Sequence, residues 1–261
     1  MVRSAGISLK KQYGQHFLRN QQVVDHMVQA VELNDSSSVF EIGCGDGFLT
    51  QHILTTDIAR LWVFEIDQEW VRYVKNKLAD KRLTVFHENF LDLNWRRLQE
   101  FCPWTVLANL PYQVTFPILH HIQEHREMIK EGVVMVQEEV AQKILKTSGR
   151  GYGYPSLFFQ YYFDWKLLDK VAPTDFYPPP KVYSRLIYFK PRTDIRPIPN
   201  EEAFWKFIKV CFKQPRRTLR NNLKQGQYGD ANLSEILDLD LRAQQMSMAD
   251  LLDVWDKINS K

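Results

Sequence analysis

Val39-Phe40-Glu41-Ile42-Gly43-Cys44-Gly45-Asp46-Gly47-Phe48 is the stretch on which the reading of the fold turns. It starts as a short, mostly apolar run of strand type, and glycines at alternate positions follow at once. From near Phe48 to about Leu54 the pattern predicts a helix. Strand, glycine loop and helix together bring a ligand against bare backbone and the positive end of a helix. A dinucleotide site is the obvious competitor. Its fingerprint puts small residues at the first, third and sixth loop positions. Here the third glycine, Gly47, comes fifth and bulky Phe48 comes sixth, which argues against a helix packed closely on a pyrophosphate. The glycine spacing, led by Glu41, suits a ligand with no pyrophosphate, such as S-adenosyl-L-methionine.

Downstream, residues 61–65 read as the next strand and end on Glu65, 22 positions after Gly43 (65 − 43). A carboxylate there can accept both hydroxyl hydrogens of an adenosyl ribose. A solvated acid at a strand end is the plainer alternative. Helices are expected over 21–31, 69–78, 116–122 and 138–145, and strands over 83–86, 105–108 and 133–136. That alternation predicts an α/β domain with a mainly parallel sheet. The aromatic-rich stretch 157–168 and the alternating stretch 182–189 suit an antiparallel hairpin that closes it. Prolines 191, 197 and 199 mark a linker, and helices are expected over 201–213, 216–223 and 248–258. The predicted organisation is a Rossmann-like domain over 1–190, led by a basic arm, and a small helical domain over 191–261.

A second signal stands at Asn109-Leu110-Pro111-Tyr112, directly after the strand at 105–108. Pro111 has no N–H and a fixed φ, and it pushes Leu110 toward an extended conformation. This stiff corner can present the Asn109 amide, the Leu110 carbonyl and the Tyr112 ring to a small planar target. An ordinary strand-to-helix turn uses the same residue types.

Bulk properties exclude more than they assign. With 44% hydrophobic and 25% charged residues in 261, the chain can bury a normal core. The net charge of +3 says little about partners, but its distribution says more. Arg3, Lys10, Lys11 and Arg19 precede the first acid, and Arg216, Arg217 and Arg220 lie in an acid-free run between Lys213 and Lys224. Such clusters suit a polyanion, although a solvated face is the common alternative. Cys44, Cys102 and Cys211 are scattered and give neither a disulfide framework nor metal-ligand spacing. No apolar run is long enough to span a membrane. The expectation is a cytoplasmic monomer with no metal, no membrane segment and no secretory leader.

Gly14-Gln15-His16-Phe17-Leu18, the stretch from Glu41 to Gly47, Glu65, the stretch from Asn109 to Tyr112, and Phe176-Tyr177-Pro178-Pro179-Pro180-Lys181-Val182-Tyr183-Ser184 occur in that order. As an ordered set they resemble the KsgA-type small-subunit ribosomal RNA adenine dimethyltransferases. Arg216-Arg217-Thr218-Leu219-Arg220-Asn221-Asn222-Leu223 resembles that family's second-domain motif, so the likeness covers nearly the whole chain. It implies a class I methyltransferase domain that uses S-adenosyl-L-methionine. The implied target is a pair of adjacent adenosines near the 3′ end of 16S ribosomal RNA in a small-subunit precursor, each methylated twice on N6. Cofactor contacts carry over to His16, Leu18, Gly43, Gly45, Glu65, Asn89 and Asn109. His16 stands where Asn is usual and Asn89 where Asp is usual. Asn109, Leu110, Pro111 and Tyr112 carry over as the catalytic corner, and Phe176 as a second stacking face for the base. Lys10, Lys11, Arg216, Arg217 and Arg220 are the expected RNA contacts. Two other readings remain: a large-subunit adenine dimethyltransferase, and a non-catalytic assembly or transcription factor of the same fold.

Overall fold

The structure is a computed structural model that describes residues 3–10, 13–226, 228 and 239–259. In chain order the arm contributes β1 (Arg3–Ser4), β2 (Ile7–Ser8) and β3 (Phe17–Leu18). Then follow α1 (Gln21–Gln29), β4 (Ser38–Ile42), α2 (Phe48–Ile53), β5 (Arg60–Glu65), α3 (Gln68–Lys77), β6 (Leu83–His87) and β7 (Trp104–Asn109). The next elements are α4 (Thr115–Glu124), β8 (Ile129–Gln137), α5 (Glu138–Leu145), α6 (Tyr154–Tyr162), β9 (Phe163–Val171), β10 (Phe176–Tyr177) and β11 (Ser184–Pro191). Helices α7 (Glu201–Cys211), α8 (Leu219–Lys224) and α9 (Met248–Asn259) complete the described chain.

Seven strands form one mixed sheet in the order β6-β5-β4-β7-β8-β11-β9. The first five are parallel, and β11 runs antiparallel to both β8 and β9. This is the expected Rossmann-like α/β sheet closed by a hairpin. Both faces are covered, so the central strands read as continuous apolar runs. On one face Val39, Leu61, Val63 and Leu107 pack with Val23, Val24 and Met27 of α1. On the other, Phe40 meets Trp104 at 5.9 Å and Trp95 at 6.0 Å between ring centroids. Helix α1 is started by Asn20, whose side chain accepts the Gln22 N–H, and α3 by Asp67, which accepts the Glu69 N–H.

Two of the differences from the expectation have a reason in packing. Strand β8 begins at Ile129, four residues before the apolar run, because buried Glu131 is satisfied. Its carboxylate accepts the Glu32 N–H and the Tyr188 hydroxyl, both at 2.9 Å. Residues 157–162 are helical instead of extended. The aromatics at 158, 159, 161 and 162 are buried all round α6, so no period marks them as helix. The Tyr162 hydroxyl donates to Glu201 and accepts from the Trp205 indole, each at 2.8 Å.

The chain divides into two compact units, Met1–Ala141 with Phe163–Pro191, and Gln142–Tyr162 with Arg192–Lys261. Residues 142–162, assigned from sequence to the first domain, group with the second unit. The buried aromatic contacts of α6 with α7 supply the reason.

Candidate active site

Strands β5 and β6 lie on one side of β4, and β7 and β8 on the other. Chain direction across the sheet therefore reverses between β4 and β7. In open α/β sheets a ligand crevice forms outside the carboxyl ends of the strands at such a point. The first unit has a cavity of about 350 Å³ there, bounded by the glycine loop, Glu65, Asn89, the corner at 109–112 and arm residues 13–18. That volume is in the range of small-molecule sites.

The glycine loop has a backbone that side chains resist. Gly43, Gly45 and Gly47 take φ of +73°, +50° and +78°. A Cβ on Gly45 would overlap the Phe17 ring, whereas one on Gly43 would meet nothing within 4 Å. Gly43 thus lines the cavity with bare backbone. Glu65 is 5% exposed and is held at both oxygens. Oε2 accepts the Gly45 N–H at 3.0 Å and Oε1 the Asp67 N–H at 2.8 Å. Burial raises its pKa, and those two N–H groups oppose the rise. Oε1 keeps a second lone pair for a hydroxyl donor, and the second contact of Oε2 is the weak Cys44 thiol donor at 3.8 Å.

Glu41 lies beneath the loop, wholly buried, and accepts the Thr50 hydroxyl at 2.6 Å. Burial pushes its pKa up to about 8, against the Thr50 hydrogen bond and with help from the neighbouring Glu65 charge. An acid raised on folding binds its proton more tightly in the folded chain. Its stability contribution is full below the ordinary value of 4.5 and is lost as pH rises through about 8. Glu41→Gln keeps an acceptor for Thr50 and removes the titration. The variant should melt above the wild type at pH 9, by roughly 2–4 °C per kcal/mol recovered, and level with it at pH 5. Equal offsets at both pH values would show that Glu41 does not titrate in this window.

The arm is tied over the cavity by charges. Lys10 donates to Asp67 at 2.6 Å and pairs with Glu69 at 2.8 Å, and these partners raise its pKa. Its positive charge is therefore already paired with two carboxylates, whereas the sequence made it an expected RNA contact. Lys11 lies outside the described residues. Arg19 pairs with Asp46 of the glycine loop at 2.6 Å. His16 Nδ1 lies 2.8 Å from the Pro178 carbonyl; a carbonyl only accepts, so Nδ1 carries the proton and donates it. Its ring stacks on Tyr112 with centroids 5.8 Å apart and planes 23° from parallel.

At the corner, the Asn109 Nδ2 donates to the His16 carbonyl at 3.1 Å. That bond assigns the amide and leaves Oδ1 as the acceptor. The Leu110 N–H donates to the Met135 carbonyl at 3.1 Å, which pins the backbone that carries the Leu110 carbonyl. Tyr112 shares a 2.6 Å hydrogen bond with the Ser184 hydroxyl, and burial raises its pKa. The Thr115 hydroxyl donates to the Pro111 carbonyl at 3.1 Å and fixes the turn into α4.

The structure brings His16, Leu18, Gly43, Gly45, Glu65, Asn89 and the residues 109–112 to one cavity. Asn89 Nδ2 donates to Asp92 at 2.9 Å, and its Oδ1 accepts the Leu91 N–H at 3.2 Å and keeps one further lone pair. Phe176 requires a correction. It is 4% exposed, packs in the core with Leu18 and Val24, and does not border the cavity. Its strand β10 pairs with β3, and alternation turns Phe176 inward and Tyr177 outward. Arg220 also departs from expectation, because its Nε donates to Asp240 at 3.1 Å. Arg216 and Arg217 are exposed. The residue that sequence reasoning missed is Ile66, which borders the cavity yet is 42% exposed. An apolar residue directly after a strand-end carboxylate was the available signal.

Among known proteins, the family described as ribosomal RNA adenine dimethylase matches residues 6–260. The ribosomal RNA small subunit methyltransferase A of Syntrophotalea carbinolica is 37% identical over 216 residues, which is 82% of this chain and 81% of that protein. The protein of the same name from Cytophaga hutchinsonii is 34% identical over 261 residues, 98% of this chain and 99% of that one. A solved dimethyladenosine transferase from Plasmodium falciparum shares the fold with a TM-score of 0.81, at 21% identity, over 94% of this chain and 98% of that one.

Proposed function

Because the chain belongs to the ribosomal RNA adenine dimethylase family, we propose that its cavity binds S-adenosyl-L-methionine and that its targets are two adjacent adenosines near the 3′ end of 16S ribosomal RNA. The chain is an adenine dimethyltransferase of ribosomal RNA. The names of the relatives favour the small subunit over the large. A precursor particle as the working substrate, and action as a monomer, are part of the same proposal.

The observation that carries the mechanism is the pair of acceptors at the end of β7. The adenine amine is a poor nucleophile because its lone pair is delocalised into the ring. Asn109 Oδ1 and the Leu110 carbonyl accept its two hydrogens. That favours a more tetrahedral nitrogen with its lone pair available for attack, a matter of positioning and electrostatics. The Asn109–His16 bond and the Leu110–Met135 bond hold both acceptors still before the base arrives. Tyr112 supplies a face for the base, which reaches the corner only outside a stacked helix.

The cavity fits the methyl donor on its own features: a bare-backbone wall at Gly43, a buried carboxylate with a lone pair to spare, and an exposed apolar side chain at Ile66. When bound, S-adenosyl-L-methionine supplies an electrophilic methyl group on a good leaving group. Glu65 would take the ribose hydroxyls, Asn89 the adenine amine and Ile66 the adenine face, and the Gly43 and Gly45 backbone would border the rest of the donor. Mass spectrometry of 16S RNA from cells with and without the protein tests the reading. Dimethylated adenosines present in both would remove it.

RNA affinity is assigned to Arg216 and Arg217, which are exposed on the turn before α8. Neutralising both should weaken RNA binding and reduce the slope of log affinity against log salt by about 1–2. Cofactor affinity should stay the same. Arg220→Ala should instead lower the melting temperature with little change in slope, because its Nε is engaged by Asp240. An unchanged slope in the double variant would make these arginines structural as well.

A further inference from the structure

Three of the large apolar side chains exposed among the described residues fall in one short loop: Tyr177, Val182 and Tyr183, at 45%, 44% and 49%. The loop is braced against the active site at both ends. The Pro178 carbonyl bonds to His16 at 2.8 Å, and the Ser184 hydroxyl bonds to Tyr112 at 2.6 Å. Prolines 178, 179 and 180 fix φ between the braces, and Pro180 is buried. The tyrosines are thus displayed on a stiff support and have not collapsed onto the core. Two lysines stand beside them. Lys170 Nζ lies 4.3 Å from the Tyr183 ring centroid, Lys181 is exposed, and residues 176–184 contain no acid.

An isolated exposed apolar residue needs no explanation, but rigid tyrosines with two lysines beside a base-accepting corner form a pattern with a chemistry. A target adenine that leaves its stack to reach Tyr112 deprives its neighbours of a stacking partner. Exposed rings can replace that partner whatever the neighbour's sequence, and nearby ammonium groups offset the phosphates. We propose that Tyr177 and Tyr183 form a stacking platform for the nucleotides that flank the adenosine being methylated, with Lys170 and Lys181 facing the backbone charge. This rests on the reading of the chain as an enzyme that acts on RNA adenine.

The test pairs kinetics with a direct reporter. Tyr177→Ala/Tyr183→Ala is compared with wild type on unmethylated small ribosomal subunits. It is also compared on a short RNA that carries the adenosine pair with 2-aminopurine at the flanking position. The KM for subunits should rise about tenfold or more, with a smaller change in kcat and no change in affinity for S-adenosyl-L-methionine. The 2-aminopurine quenching seen with wild type should disappear. Tyr177→Phe/Tyr183→Phe should restore both, because stacking needs the ring and not the hydroxyl. Unchanged KM and unchanged quenching would overturn the platform. So would a raised KM with quenching intact, since that places a ribosomal protein on the loop. An inactive wild type would sink the functional reading, and the fluorescence arm would still decide the platform.

Discussion

Asn109→Ala should lose methyl transfer by a factor on the order of 10²–10³, the cost of removing one positioned polar group from a reacting centre. The substitution deletes the acceptor that faces the amine and also the Nδ2 donor to the His16 carbonyl. The second loss loosens an arm that Arg19 and Lys10 still hold through Asp46 and Asp67, so the arm should stay in place. Particle affinity should change little, because exposed arginines of the second unit are the proposed phosphate contacts. Radiolabelled methyl transfer and co-sedimentation with small subunits, run on the same preparations, separate the two effects. Methylation by the variant at the wild-type rate would sink the mechanism. Loss of binding in step with activity would make Asn109 an anchor of the RNA. A wild type that sediments with particles and methylates none of them would favour the non-catalytic assembly factor over the enzyme.

The second large effect is expected at Glu65. Glu65→Ala should reduce affinity for S-adenosyl-L-methionine by roughly 10²-fold or more, since hydrogen bonds to a charged acceptor contribute roughly 1.5–3 kcal/mol each. The carboxylate has a structural duty as well. It accepts the Gly45 and Asp67 N–H groups, and the alanine leaves both donors without it, at roughly 1–3 kcal/mol each. A lower melting temperature is therefore part of the expected result. Glu65→Gln separates the duties. It keeps one acceptor oxygen for the loop but cannot also serve two hydroxyls, so stability should recover more than affinity. Calorimetric titration on folded protein reads one effect and thermal melting the other. Wild-type affinity in Glu65→Gln would remove Glu65 from the cofactor site.

Much of the first unit was legible in the residues because its signals are local. Glycines at 43, 45 and 47 can be read as positive-φ positions because no other residue adopts that backbone cheaply. Strands β4, β5 and β7 could be read because a strand covered on both faces has no polar break. Their carboxyl ends locate the crevice once the strand order, which only the structure gives, reverses between β4 and β7. The α6 helix was not legible. Aromatics all round it suit a strand and a buried helix equally, and only its partners on α7 distinguish the two.

Residue types and spacing were enough, then, for the α/β class, the glycine loop, the strand-end carboxylate and the asparagine corner. Each is written within a few consecutive positions, where backbone geometry and side-chain chemistry act directly. Other properties depended on partners far away in the chain. Phe176 faces inward because β10 pairs with a strand more than 150 positions earlier (176 − 18 = 158). Lys10 is neutralised by Asp67, 57 positions on, and Arg220 is engaged by Asp240, 20 positions on. Asn109 has its amide oriented by a carbonyl 93 positions away. Burial, charge neutralisation and amide orientation are set by what lies opposite a side chain, and that neighbour is fixed only when the chain folds back on itself.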